Sequence, residues 1–182
     1  YVVADLAGED FHEDQIPYLR GGDRQAVVLR RLAQRYRDTR LAAALPLGYV
    51  VGERRNERLL LASFTNTQQF TPWLDALVDS EAKLAGVYSV PLIAPALAAR
   101  LGVRKGRTFV VTLDSAGLRQ SYVDDGRLRF SRLERTGNMA PASLAALVRS
   151  ETVRLAQYLT GLRALPREGP AVQVLVVAPP GQ

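Results

Sequence analysis

The stretch "TFVVTLDSAGLRQSYVDDGRLRFSRL", residues 108 to 133, holds the most suggestive arrangement of chemical groups in the chain. It reads as three short strands folded by two turns, with Asp114 at the first turn. Such a hairpin either cradles a phosphate or only reverses a strand. A second set of groups is the acidic cluster Glu9, Asp10, Glu13 and Asp14 around His12. As a functional site it would be a metal or acid–base centre. Without a periodic frame, a solvated loop is the expectation. Asp124 and Asp125 are expected to serve the turn "DDG" rather than a cation. Ser63, Thr65 and Ser115 have no recognisable histidine base, and a nucleophile elbow of the G-x-S-x-G type is absent.

Composition narrows the classes. The chain has 182 residues, no cysteine and one histidine, so disulfides, thiolate metal sites and multi-histidine sites are excluded. Its net charge is +6 and its pI about 10.0. Of the basic residues only Lys83 and Lys105 are lysine; the others are arginine, which favours bidentate contacts to carboxylate and phosphate. This charge permits nucleic acid or anionic lipid as partners without selecting either. It concentrates in "DRQAVVLRRLAQRYRD", where Val28, Leu29, Leu32 and Tyr36 form one apolar face at helical spacing. Arg30, Arg31, Arg35, Arg37 and Arg40 stand around it. These arginines are expected mostly in solvent, with Arg30, Arg31, Arg35 and Arg37 as a docking face for an acidic protein surface. Nucleic acid is disfavoured because no aromatic platform interleaves them.

The remaining elements alternate. "YVVADL" reads as a strand, and Asp23 is placed to cap the arginine-rich helix. "RLAAALPLGYVV" and "RLLLASFTN" read as strands, the second central because its apolar run is continuous. "TPWLDALVDSEA" is a helix with Thr71 as N-cap, Pro72 first, and Trp73, Leu74, Leu77 and Val78 buried. "LAGVYSV" is a strand and "PLIAPALAARLG" a helix closed by Gly102. The basic joint "VRKGR" places a boundary between residues 1–103 and 104–182. Beyond it, strands at 108–113, 118–124 and 127–134 precede a helix burying Leu144, Leu147, Val148, Val153, Leu155, Tyr158, Leu159 and Leu162. A strand at 172–177 follows. The second half is therefore β-β-β-α-β, with the last strand returning parallel to the first by a right-handed crossover. No apolar run approaches the ~20 residues of a membrane span. The chain opens and closes on strand-like segments, and a piece of a longer protein is the expectation.

With this order in place, the whole chain resembles the actin-like, ribonuclease H-like domains of type IV pilus and type II secretion assembly proteins, the PilM and GspL types. "QIPYL" resembles the segment before their inserted subdomain. "RLLLASFTNTQQFTPWLDALVDSEAKLAGVYSVPLIAPALA" resembles the elements leading into their second lobe. "TFVVTLDSAGLRQSYVDDGRLRFSRLERTGN" resembles that lobe's opening hairpins. The resemblance implies an α/β fold with mixed sheets, flanking helices and two lobes, the first including the inserted subdomain. It also implies a candidate ATP–Mg²⁺ site, with Asp114 orienting the cation, Gly117 and Ser121 at the phosphate and Gly181 beside the adenosine. The chain departs from that pattern. Ala116 stands where glycine is expected, Gln120 where threonine is expected, and Ala178-Pro179-Pro180-Gly181 replaces a glycine pair. Prolines remove donors and stiffen the turn. The resulting expectation is a cytoplasmic, non-catalytic scaffold at the inner membrane, without a cofactor, bound to a membrane-anchored assembly component. The alternatives are a weak ATPase completed by further sequence and a basic nucleic-acid-binding module.

Overall fold

The computed structural model describes residues 1–37, 39, 41–50, 52, 55–137 and 140–178. They form two compact units, Tyr1–Tyr88 and Ser89–Gln182. The boundary therefore falls before the helix "PLIAPALAARLG", not after it at 103. Ala94 and Ala98 of that helix pack on Val110 and Val123 of the second unit, and this apolar contact outweighs the polar joint at "VRKGR".

In the first unit, β1 (Val2–Ala4) pairs with β5 (Val87–Ser89). A separate sheet has the order β2-β4-β3, formed by β2 (Glu9–Pro17), β3 (Ala42–Val50) and β4 (Asn56–Phe64), all antiparallel. Helix α1 (Gly21–Arg35) follows β2. Strand β4 is central, as its apolar run implies. Leu59 and Leu61 meet Ile16, Val27, Val28, Leu32 and Tyr36. Phe64 packs edge-on against Phe70 with Ala4 in a second cluster.

The local signals depart at several points. The acidic segment expected as a loop is strand β2. Arg20, not Asp23, is the N-cap of α1, and no side chain caps it. Leu29 is exposed, because Val27 takes its place on the packed face. Helix α2 (Thr71–Asp79) has Phe70 as its N-cap, and Thr71 already lies in the first turn. Trp73 and Val78 are 73% and 74% exposed; only Leu74 of that helix joins the apolar cluster.

The second unit follows the expected order closely. Helix α3 (Val90–Arg100) ends at Gly102, whose φ of +93° suits glycine. Strands β6 (Arg107–Asp114), β7 (Gly117–Asp124) and β8 (Arg127–Glu134) are consecutively antiparallel. Helix α4 (Pro141–Gly161) crosses back to β9 (Gln173–Val177), which lies parallel to β6 in the order β8-β7-β6-β9. The hairpin at Asp124 turns through Asp125 and Gly126, both with positive φ. The Asp125 carboxylate accepts the Gly106 N–H at 2.9 Å.

Phe109, Val111, Leu118, Tyr122, Leu155, Leu159 and Leu165 form the core under α4. Val153, Tyr158 and Leu162, expected inside, are half or more exposed. The apolar residues of α4 run around the helix, and one sheet face covers only part of them. No described helix is long and apolar enough to cross a membrane. Leu159 is fully buried and Leu162 is 57% exposed. Leu159→Ala should therefore cost about 2–5 kcal/mol in urea denaturation, and Leu162→Ala less than about 0.5 kcal/mol.

Candidate functional site

The hairpin that ends β6 and begins β7 brings Asp114 opposite Gly117. The Thr112 hydroxyl donates to the Asp114 carboxylate at 2.6 Å. Gly117 has φ +133°, and a Cβ there would strike the carbonyl oxygen of Glu134 at the end of β8. The glycine is thus required by the close approach of two backbones, whatever else the turn does. Ser121 lies four residues along β7, roughly 13 Å from the turn at strand rise. It is buried, and its hydroxyl sits 3.1 Å from that of Ser131, its register partner on β8. The fourth candidate, Gly181, lies outside the described residues, as do Pro179 and Pro180.

Gln120, which stands where the resemblance expects threonine, is wholly buried. Its Oε1 accepts from Arg132 Nε at 2.9 Å, and its Nε2 faces the Thr152 hydroxyl at 3.4 Å. Arg132 Nη2 donates to the Glu151 carboxylate at 2.9 Å and to its carbonyl at 2.8 Å. Arg154 completes the network on Glu151 at 2.6 Å. Gln120 therefore ties β7 to β8 and α4. At the opposite end of β6, Arg107, Thr160, Leu165, Arg167 and Gly169 line an open groove of about 590 Å³. The seven-residue rise of the strand, roughly 23 Å, separates it from the Asp114 turn.

The arginines of α1 are arranged differently from the expectation. Arg24 forks onto Glu57 of β4, with both N···O distances at 2.7 Å, and this carboxylate is only 3% exposed. The Glu57 hydrogen bonds hold the Arg24 guanidinium above its ordinary pKa. Arg35 donates to Asp10 at 3.1 Å and Arg31 pairs with Asp14 at 3.6 Å. Arg58 of β4 donates to Glu13 at 3.0 Å. The acidic cluster and the arginine helix thus neutralise each other across the fold. Arg31 and Arg35 are half-exposed, and each is paired with a carboxylate of β2 within the fold. Arg30 and Arg37 are exposed and unpaired among the described residues, and Arg40 lies outside them. The Tyr36 hydroxyl lies 3.0 Å from Asp10 Oδ2 and 3.2 Å from the Leu61 carbonyl. Burial, and after it the Asp10 carboxylate, push the Tyr36 phenol up to about 12.

Charge reversal tests the pairing. Arg31→Glu with Arg35→Glu sets two glutamates against Asp14 and Asp10, and the melting temperature should fall by several degrees. Tyr36 adds a pH signature. Its neutral form is the one the fold favours, so the stability it contributes is complete below the ordinary phenol value near 10. That contribution is lost as pH rises through the folded value of about 12. Denaturation midpoints should fall over this window in the wild type, and less steeply in Tyr36→Phe.

No protein-family model and no curated protein matches the chain. Among solved structures it is similar to a chain of the PilM–PilN type IV pilus biogenesis complex, with a TM-score of 0.58 at 14% identity. The match covers 96% of this chain and 61% of that one, so the chain spans less than two thirds of its counterpart. A Bacteroides thetaiotaomicron protein with an actin-like ATPase fold overlaps 91% of this chain and 64% of its own, at 11% identity and a TM-score of 0.34. The strand order, the parallel crossover and the first of these superpositions agree on the fold that this chain shares with that member of the pilus complex.

Proposed function

We propose that the chain serves as an assembly scaffold in a bacterial envelope machine of the pilus or secretion type. On this reading it works on the cytoplasmic side of the inner membrane, holds a membrane-anchored protein partner, and does not turn over ATP. The carrying observation is the overlap of 96% of the chain with a member of a complex whose other component is a second pilus biogenesis protein. Gln120 is drawn under α4 and Ser121 is paired with Ser131, and both support the absence of turnover, since neither side chain is spare for a phosphate. A weak ATPase completed by further sequence retains one observation, the meeting of Asp114 and Gly117 at the turn.

Affinity capture of the tagged protein from detergent-solubilised membranes of its own host tests the assembly role. A membrane-anchored assembly component in stoichiometric amount is the expected result; recovery of the protein alone contradicts it. Phosphate release from ATP and magnesium should stay at the buffer rate. Turnover that disappears in Asp114→Ala would establish the ATPase instead.

A further inference from the structure

Among the described residues of the first unit, two arginines have no carboxylate partner but lie against aromatic rings. Arg24, Arg31, Arg35 and Arg58 each meet an acidic side chain. Arg20 and Arg55 meet tyrosines instead. The Arg55 guanidinium carbon lies 4.4 Å from the Tyr18 ring centroid and 4.2 Å from that of Tyr49. The two rings are 5.5 Å apart in an edge-on arrangement. Arg20 donates through Nε to the Tyr18 hydroxyl at 2.8 Å, and its guanidinium lies 5.5 Å from the same ring. The Tyr18 N–H donates to the Arg55 carbonyl at 3.1 Å, which fixes the backbone beneath the cluster.

These residues gather at one end of the three-stranded sheet. Pro17 and Val50 both pair with Asn56 there, placing Tyr18, Tyr49 and Arg55 at the same edge. Tyr49 is half-exposed and both arginines are exposed. Contact with two rings restrains the Arg55 guanidinium but satisfies none of its N–H donors. Among the described residues no carboxylate reaches it. A guanidinium already held in place loses less freedom when it grips a planar anion.

We propose that this tyrosine-framed arginine pair is a docking point for a carboxylate-bearing segment of a protein partner. Among the described residues the footprint holds two guanidinium groups, and Asp23 stands exposed in the adjoining first turn of α1. A broad polyanion such as a lipid surface or a nucleic acid strand would bring its charges against Asp23. A single carboxylate side chain reaches the pair without doing so. The site lies apart from the Arg31 and Arg35 ion pairs, whose charges are already met within the fold.

The inference rests on the protein-partner reading above, but its probe is synthetic, so the two stand or fall separately. A fluorescein-labelled decapeptide of alternating aspartate and glycine should bind the full chain, weakening as salt rises, and its asparagine counterpart should not. Arg55→Gln should weaken binding about tenfold, and Arg55→Lys should fail to restore it because lysine has no planar fork. Arg20→Gln, at an exposed site the fold does not pack, gives the same reading should Arg55→Gln not fold. Arg30→Gln should leave binding unchanged. Equal binding by wild type, Arg55→Gln and Arg20→Gln overturns the site. Preferential binding of phosphatidylglycerol vesicles or a single-stranded oligonucleotide overturns the choice of partner. Intact peptide binding without a captured membrane component leaves the docking point standing and removes the assembly role.

Discussion

The pairing of an acidic strand with a basic helix organises the first unit. Strand β2 carries Asp10, Glu13 and Asp14, which on an edge strand would repel one another, because charges of one sign close together are costly. Helix α1 and strand β4 answer with Arg35, Arg31 and Arg58. The most buried of these contacts, Arg24 on Glu57, sits where a lone carboxylate would be strongly destabilising, so each partner depends on the other. The apolar contacts of Leu59 and Leu61 with α1 supply adhesion, and the ion pairs fix how the helix lies over the sheet. Much of the positive charge of α1 is therefore met inside the fold.

The second unit solves a comparable problem by other means. Strand β7 is buried nearly throughout, although its sequence "GLRQSYVD" contains three polar side chains in a row. Gln120 and Ser121 are satisfied by Arg132 and Ser131 of the neighbouring strand. Arg132 in turn meets Glu151 of α4. Burying such groups unsatisfied would cost more than the apolar packing around them returns. The network thus locks the hairpins to the crossover helix.

Most of this architecture was legible in the residues. The β-β-β-α-β order, the turn at Asp125 and Gly126 and the helix end at Gly102 rest on local signals that tertiary context reinforces. What was hidden was hidden for a shared reason: the deciding partner lies far along the chain. "EDFHEDQIP" does not read as a strand until Arg35 and Arg58, 25 and 45 positions from Asp10 and Glu13, are seen across from it. Trp73 and Val78 share helical spacing with Leu74 and Leu77, and spacing alone does not say how wide a face the neighbours cover. The tyrosine-framed pair was missed because Tyr18, Tyr49 and Arg55 meet only when three strand ends converge. The first-turn residues Asp114 and Gly117 were found, but the backbone approach of Glu134 that demands the glycine belongs to the folded sheet alone.

Exchanging one pair shows whether the arginines of α1 answer the acids of β2 within the fold. A double-mutant cycle over Asp10→Arg, Arg35→Asp and the swapped double variant, read by urea denaturation at low salt, isolates their coupling. The double variant should be more stable than the sum of the single changes allows, by about 0.2–1 kcal/mol, the range of a half-exposed pair. Strict additivity of the two changes would show that Arg35 and Asp10 do not sense each other, and would return that arginine to the surface as a free charge.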